Sequence, residues 1–430
     1  MGLLSRVRRE FGFIRGNLLV LILSWVLMDL VGNIPYIYFS LYIEELGGTP
    51  FIIGVVNFTS FMVLASVQFL GGYLADTYGR RWLIVSMTFG VAVSNLIFAF
   101  APSWEVVLLA VIIQNLCLIY QPALSAITAD SIPPEKRGVG FSIIMFISNV
   151  ASLAAPPIAG ILFLYYGTLE GVRIGFLLVA AFYLTAALIR IRLKETLRNV
   201  KNQGKNLKNL IKAYPHAVKE SFSVWKILPR SMFFLFIINN IGSFSYALMD
   251  AYLVLYATQI LNVKGFEWAI LITWLTTITI FAALPSGKLV DKYGRARCLL
   301  LSWLLYAPFP LLFLYGNMPL LYLSFFLWGI SNALFMPGYS AMEADLVPRE
   351  LRGKEVGCSQ FLTYVLMAFG GLTGGFLYEN FSPASLFFLL RTCDCLHSNS
   401  GLVCKGTEKS TYLTKAISNA FNIKVRAVKQ

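Results

Sequence analysis

The chain has 430 residues, of which 57% are hydrophobic and only 13% are charged. Roughly a quarter of the residues of a soluble domain are charged, so this composition argues against a soluble protein. The formal net charge is +14, but the basic residues occupy short turns between apolar segments. That placement is typical of a membrane protein and argues against a nucleic-acid partner.

Apolar segments of about 20 residues recur along the chain, and each is long enough to cross the hydrocarbon core as a helix. Because lipid offers no water to open backbone groups, we expect these segments to be helical. The first is too long for a cleavable signal peptide. The predicted spans are residues 17–43, 51–74, 82–101, 104–127, 139–165, 171–192, 231–259, 266–289, 298–315, 318–341 and 356–378, with a twelfth beginning near 384.

Lysine and arginine fall almost entirely on one side of these spans. Turns on the side of the N-terminus hold 26 of the 35, including eleven from Arg190 to Arg230, whereas Arg173 and Lys264 lie on the other side. Basic turns stay in the cytoplasm, so we predict a plasma-membrane protein with a cytoplasmic N-terminus and central loop. The Lys-rich loop, residues 193–229, is either a solvated linker or partly an amphipathic helix on anionic headgroups.

A charged turn occurs twice, 215 residues apart and without a gap: Gly72-Tyr-Leu-Ala-Asp76-Thr-Tyr-Gly79-Arg80-Arg81 recurs as Gly287-Lys-Leu-Val-Asp291-Lys-Tyr-Gly294-Arg295. A duplicated chain with charged turns between apolar segments is typical of a two-bundle membrane transporter. The predicted domains are a first transmembrane bundle over 1–192, the loop 193–229, a second bundle over 230–390 and an aberrant polar tail over 391–430.

The paired turns resemble the signature loop of the major facilitator superfamily, and the Pro-Glu-x-Arg-Gly turns after spans 4 and 10 are also typical of it. The resemblance covers residues 15–390 and implies an all-α membrane protein with two pseudo-symmetric six-helix bundles. It also implies a conformational latch between the bundles on the cytoplasmic side; arginines that only set topology are the alternative. The predicted latch residues are Gly72, Asp76, Gly79, Arg80, Asp130, Arg137, Gly287, Asp291, Gly294, Arg295, Asp345 and Arg352.

Small residues recur in spans 5 and 11, as Ala155-Pro156-Pro157-Ile-Ala-Gly160 and Gly370-Gly371-Leu-Thr-Gly374-Gly375. The first resembles a motif of the antiporter branch of that family, with alanine at two glycine positions. Plain close packing of helices is the alternative interpretation. Span 4 lacks the arginine that many proton-coupled members carry, which puts a proton relay at that position in doubt.

Each half holds one acidic residue well inside a span, Asp29 in span 1 and Asp250 in span 7. An ionisable group in hydrocarbon is costly and usually faces a wet cavity. Each lies on a helical stripe of polar side chains; the alternative is that these neighbours merely satisfy the acids. The predicted substrate or proton site comprises Asp29, Asn33, Tyr36, Gln114, Gln121, Asn239, Ser243, Tyr246, Asp250 and Asn332, with Asn57, Asn149, Thr276, Gln360 and Tyr364 as further lining candidates.

The interior of the spans is predicted to lack basic residues, so a permanently anionic substrate has no partner there. We therefore predict a secondary active transporter that works by alternating access. It would be a proton-coupled exporter of cationic or neutral amphipathic compounds, with Asp29 as cation partner or proton site. An uptake permease for a neutral solute such as a sugar is the alternative. We expect a monomer with no enzymatic activity, cofactor, metal or nucleic-acid partner.

The apolar pattern of the twelfth span breaks after Leu390, and residues 391–430 resemble nothing earlier in the chain. We interpret this as a reading-frame change or truncation; a soluble tail on an eleven-span or partly twelve-span protein is the alternative. Cys393, Cys395, His397 and Cys404 fit no standard zinc spacing. A non-transporting or inactive membrane protein, owing to the altered C-terminus, therefore stays open as a third function.

Overall fold

The computed structural model describes residues 13–133, 136–197, 222–348 and 351–387. Within these ranges the chain is helical and contains no strand. Ten helical segments are long and apolar enough to cross a membrane. One of them contains both span 5 and span 6, which meet at Gly167 with φ +73°.

The first half contains spans 1–6. Span 1 is broken near its middle, because Pro35 cannot donate a helical backbone hydrogen bond. Span 2 begins at Pro50, where the Thr49 side chain accepts from the Ile52 N–H at 3.4 Å. The helices are Asn17–Gly32, Phe39–Glu45, Pro50–Tyr78, Arg80–Ala99, Trp104–Cys117, Gln121–Ser131, Arg137–Ser152 and Ala155–Arg190, with 3₁₀ turns at Pro35–Tyr38 and Leu118–Tyr120.

The second half contains spans 7–11. Span 7 is interrupted after Asp250, the position that corresponds in the repeat to the break of span 1. Span 9 is interrupted at Pro308. The twelfth span, predicted from near 384, and the tail 391–430 lie largely outside the described residues. The helices are Arg230–Asp250, Leu253–Gln259, Gly265–Tyr293, Arg295–Tyr306, Phe309–Leu314, Met318–Leu346 and Arg352–Asn380, after a 3₁₀ turn at Val224–Lys226.

The two charged turns have the same backbone conformation. Gly79 has φ +92° and ψ 140°, and Gly294 has φ +92° and ψ 149°. Each glycine ends one span and starts the next, in a region that residues with a side chain rarely adopt. The sequence repeat is therefore also a structural repeat at this position.

The end of the spans that carries Arg80, Arg190 and Arg295 is called the basic end below. The two halves are joined at the opposite end. The Tyr38 hydroxyl donates to the Gly265 carbonyl at 2.6 Å, and the Ser40 hydroxyl donates to the Ala251 carbonyl, also at 2.6 Å. A buried apolar cluster with members from both halves surrounds these bonds, so the halves are closed against each other at the opposite end.

Glycines allow close approach between the halves at this closed end. A Cβ on Gly54 would lie 2.9 Å from the Gly371 carbonyl oxygen, and one on Gly375 would lie 2.7 Å from the Pro50 carbonyl oxygen. Gly160 of span 5 lies similarly close to Ala269 of span 8. The small residues of spans 5 and 11 thus pack against the other half, as their close-packing interpretation requires.

Arg190 corrects the expectation that the spans hold no basic residue. It closes the helix of span 6 and is fully buried in the first half. Its Nε donates to the Ser24 hydroxyl at 3.0 Å and its Nη1 donates to the Thr88 hydroxyl at 2.8 Å. The guanidinium also lies 5.7 Å from the centre of the Tyr120 ring. Arg190 lies within predicted span 6, three residues before the loop at 193, and its charge was counted with that cytoplasmic turn.

Candidate functional site

A cavity of about 390 Å³ lies within the first half. Asp29, Asn33 and Tyr36 line it from span 1, and Gln114 lines it from span 4. The Tyr36 hydroxyl donates to the Gln114 Oε1 at 2.9 Å. Although span 1 is broken at Pro35, Tyr36 lines the same cavity as Asp29 and Asn33. Four of the predicted site residues therefore lie together here.

Within the part of the chain that the structure describes, Asp29 is the single charged residue whose side chain lines this cavity. Its carboxyl group is within hydrogen-bonding reach of the Ser148 hydroxyl on span 5 and within electrostatic range of Arg190. Valine side chains form much of the surrounding wall, at Val56, Val91, Val111 and Val179. A carboxylate in such a setting can bind a cation or take up a proton, because little else in the cavity can balance its charge.

A second cavity of about 290 Å³ lies within the other half. The predicted residues Asn239, Ser243 and Tyr246 line it from span 7, and Asn332 lines it from span 10. The remaining lining is largely aromatic or sulfur-containing, and no charged residue is among the described lining residues. The aromatic and sulfur-containing residues are Trp303, Tyr306, Trp328, Phe335, Met336 and Met367.

Sequence reasoning missed these aromatic and methionine residues. In an apolar span, a tryptophan or methionine looks the same whether it faces lipid, the packed core or a cavity. The one available signal is the cluster Trp303, Tyr306 and Trp328 on neighbouring spans, which becomes visible only after spans 9 and 10 are placed side by side.

Two predicted site residues are not among the lining residues of either cavity. Asp250 ends the helix of span 7 and is within hydrogen-bonding reach of the Tyr246 hydroxyl, which does line the second cavity. Gln121 follows the 3₁₀ turn Leu118–Tyr120, whose tighter winding shifts the helical face that a 3.6-residue period predicts. Of the further candidates Asn57 lines the first cavity, whereas Asn149, Thr276, Gln360 and Tyr364 line neither.

The predicted latch residues form one ion pair in each half. Arg80 pairs with Asp130, and Arg295 pairs with Asp345 at the corresponding position. Arg80 also donates to the Thr196 hydroxyl at 3.1 Å. Both ion pairs lie within a single half, tying the repeated turn to the end of span 4 or span 10, so neither pair itself bridges the two halves.

The remaining latch residues are less engaged or are not described. Asp291 and Arg137 are exposed, and a Cβ on Gly287 would meet open space. The surroundings of Gly72 and the side chains of Asp76 and Arg352 lie outside the described residues, so their roles in the latch stay predictions.

Membrane-spanning helices, a duplicated charged turn and cavities inside each half define an integral membrane transporter. The family model of the Major Facilitator Superfamily matches residues 20–280 and 241–390. The chain belongs to the Major Facilitator Superfamily. This confirms the resemblance and the all-α fold predicted from the paired turns.

Relatives and solved structures agree with this assignment. The chain is 24% identical over 364 residues to the multi-drug resistance efflux pump PmrA of Streptococcus pneumoniae, covering 83% of this chain and 88% of PmrA. It is 28% identical over 317 residues to a Na(+), Li(+), K(+)/H(+) antiporter of Planococcus maritimus, covering 70% and 68%. A variant of the nucleoside transporter NupG superposes with a TM-score of 0.72 at 16% identity, covering 90% of this chain and 99% of that chain.

Proposed function

We propose that this transporter exports cationic or neutral amphipathic compounds in exchange for protons, and that Asp29 is the group at which cation and proton compete. One observation carries the proposal: among the described residues that line the two cavities, Asp29 alone is charged. A carboxylate confined among neutral side chains favours whichever positive charge is available, either a substrate cation or a proton.

The exchange follows from mutual exclusion at one carboxyl group. When Asp29 is protonated, it is neutral and has little attraction for a cation. When a cation binds, the proton leaves the carboxyl oxygen, so charge in the cavity stays nearly balanced. Release of that proton on one side of the membrane and uptake on the other would couple cation movement to the proton gradient. The relatives named as a multidrug efflux pump and a cation/proton antiporter support this assignment.

The second cavity fits the apolar part of such a substrate. Trp303, Tyr306 and Trp328 present aromatic surface there, and Met336 adds a flexible thioether. Aromatic faces bind organic cations through the ring quadrupole as well as by apolar contact, and methionine adapts to ligands of different shape. A carboxylate in one half and aromatic surface in the other together favour compounds that are both apolar and positively charged.

We infer the direction of transport from two features taken together. The halves are closed at the opposite end by Tyr38, Ser40 and their partners, and the excess of basic residues favours a cytoplasmic basic end. In this state the cavities would therefore be reached from the cytoplasm, the side from which an exporter loads. Rocking of the halves about the cavities would then expose the site to the outside.

Inverted membrane vesicles that contain the protein test the proposal. An imposed gradient, acidic inside, should drive accumulation of labelled tetraphenylphosphonium, a permanently charged amphipathic cation. We expect Asp29→Asn to abolish the gradient-driven component at unchanged expression. Glu45→Gln, which removes an exposed carboxyl group at the opposite end, serves as the matched control and should leave accumulation intact.

Two results would contradict the proposal. Equal gradient-driven accumulation by the wild type and the Asp29→Asn variant would remove Asp29 from the exchange. Movement of a labelled neutral sugar that is insensitive to Asp29→Asn and to the proton gradient, with no movement of the cation, would favour the permease alternative.

A further inference from the structure

A buried acid that lines neither cavity lies at the basic end of the second half. Glu355, in the first turn of the helix of span 11, is fully buried. Neither of its carboxyl oxygens has a hydrogen-bond partner among the described residues. A buried carboxylate without a partner is strongly unfavourable, so its environment requires an explanation.

The neighbour of Glu355 is another acid. Glu343, near the end of span 10, lies within hydrogen-bonding reach of the Glu355 carboxyl group. Tyr339 is one turn before Glu343, and Ser359 is one turn after Glu355; these two also lie within hydrogen-bonding reach of each other. Four polar side chains of spans 10 and 11 therefore approach one another at this end, and the two carboxyl groups are among them.

The cations and other titratable groups around the pair do not balance it within the described residues. Arg295, at the start of span 9, is engaged with Asp345, and Cys358, three residues after Glu355, accepts from the Trp225 indole at 3.2 Å. Arg230, at the start of span 7, is exposed. Neither Glu343 nor Glu355 forms an ion pair with any described residue. The side chains of Lys226, Arg352 and Lys354 lie outside the described residues.

We propose that Glu343 and Glu355 form a proton-binding site separate from Asp29, in which one protonated carboxyl group donates a hydrogen bond to the carboxylate of the other. Two carboxyl groups this close cannot both be ionised without a compensating charge, and sharing one proton satisfies both. The remaining negative charge lies at the N-terminus of the helix of span 11, where the helix dipole stabilises it.

A proton fits this place better than a metal ion. The described residues contain no group of three or more His, Cys, Asp or Glu side chains that could hold a metal, and neither acid lines either of the two cavities. A proton needs no added volume and no further ligands. The site also belongs to the second half alone, because the corresponding positions of the first half are Thr128 and Gly140.

The site provides a response to pH at the basic end. Loss of the shared proton would place two negative charges between spans 10 and 11, two residues from Asp345 and its ion pair with Arg295. Repulsion between the carboxylates would then loosen the contact of these spans. Low pH on this side would keep spans 10 and 11 together, and high pH would separate them.

Infrared difference spectroscopy of the purified full chain in lipid nanodiscs tests the proposal without any substrate. The wild type at neutral pH should show a protonated-carboxyl band that disappears on titration to alkaline pH. Glu355→Gln and Glu343→Gln should each remove that same band, because the remaining acid can then ionise beside a neutral amide. Glu45→Gln should leave it unchanged, and Asp29→Asn should alter a different component.

Persistence of the full protonated-carboxyl band in both glutamine variants would contradict the proposal that Glu343 and Glu355 share a proton. A band that shifts with sodium or potassium at constant pH would also overturn it, because the occupant would then be a metal cation. If one variant fails to fold, the other reports the same band. Since no transport is measured, failure of this site leaves the role proposed for Asp29 untouched, and the reverse also holds.

Discussion

The two halves keep the same turn but have different cavities. Gly79 and Gly294 share one backbone conformation, and the ion pairs of Arg80 with Asp130 and Arg295 with Asp345 occupy matching positions. The first cavity, in contrast, contains a carboxylate among amides and valines, whereas the second is aromatic and rich in methionine.

The repeated turns, which differ little between the halves, would serve the movement of the halves. The cavities, which differ, would serve substrate recognition. Both halves must turn the chain and hold the ends of their spans in the same way if they are to rock as similar bodies, so the turn is retained in both. A substrate is not symmetric, so each cavity would contact a different part of it. The first half would bind its charge and the second half its apolar surface.

The largest expected effect concerns Arg190, the arginine buried within the first half. Arg190→Met leaves the Ser24 and Thr88 hydroxyls without their present partner, and loss of a buried charged group with its hydrogen bonds destabilises a protein by about 3 kcal/mol. Thermal unfolding of the detergent-purified protein should show a clearly lowered Tm. Arg192→Gln, which changes an exposed residue of the same segment, is the control; equal Tm values for both variants would contradict the structural role of Arg190.

A second prediction concerns closure of the halves at the opposite end. Gly54→Leu would place a side chain against the Gly371 backbone, which cannot move aside as a flexible side chain can, so the closed arrangement should become much less populated. Disulfide formation between Ser40→Cys and Ala251→Cys reports closure, because these positions are hydrogen-bonded at 2.6 Å. We expect a severalfold loss of cross-linking, comparable to about 1–2 kcal/mol in the conformational equilibrium.

The control for that measurement lies in the other half. Ala283→Leu introduces the same side chain at an exposed position of the helix of span 8, so cross-linking should stay near the wild-type level. Equal cross-linking in the Gly54→Leu variant would show that the close approach of spans 2 and 11 is not required for closure.

An intermediate effect is expected in the aromatic cavity. Trp303→Ala should weaken binding of tetraphenylphosphonium roughly tenfold, since an aromatic contact to a partly desolvated cation contributes about 1–2 kcal/mol. Binding of a small aliphatic cation should change far less. Trp82→Ala, at an exposed position, is the matched control, and a uniform loss for both ligands in the Trp303→Ala variant would contradict the division of labour between the cavities.

The smallest effects are expected for the repeated ion pairs. Asp130 and Asp345 are 43% and 54% exposed, and surface pairs of this kind contribute about 0.5 kcal/mol. Asp130→Asn and Asp345→Asn should therefore lower Tm slightly and by similar amounts, with effects that add in the double variant. A large loss for one and none for the other would break the symmetry of the turns.

Much of the fold could be predicted from the sequence because helices in lipid have few alternatives. The length of the apolar segments located the eleven described spans. The unbroken offset between the turns identified Arg80 and Arg295 as equivalent positions of the repeat before any contact was known. The ends of the spans were less predictable. The helix of span 2 extends to Tyr78, beyond the predicted residue 74, because the turn glycine rather than the change in polarity ends it.

The site was partly predictable for a related reason. A carboxylate inside a span is conspicuous, so Asp29 and its helical neighbours Asn33 and Tyr36 could be chosen from sequence. The partners of Arg190, which are Ser24 and Thr88, and the aromatic surface around Trp303 could not be predicted. Both are determined by which helices lie side by side. Local turns such as Leu118–Tyr120 also rotate the helical face that follows them. The prediction of Gln121 assumed a regular helix, and Gln121 lines neither cavity.

Proton release on cation binding tests the central claim most directly. Purified protein in weakly buffered solution, mixed with tetraphenylphosphonium at mildly acidic pH, should release protons in proportion to the cation bound, whereas Asp29→Asn should release none and Glu355→Gln should behave as the wild type. Undiminished proton release from the Asp29→Asn variant would contradict the account, because the exchange would then take place at another group.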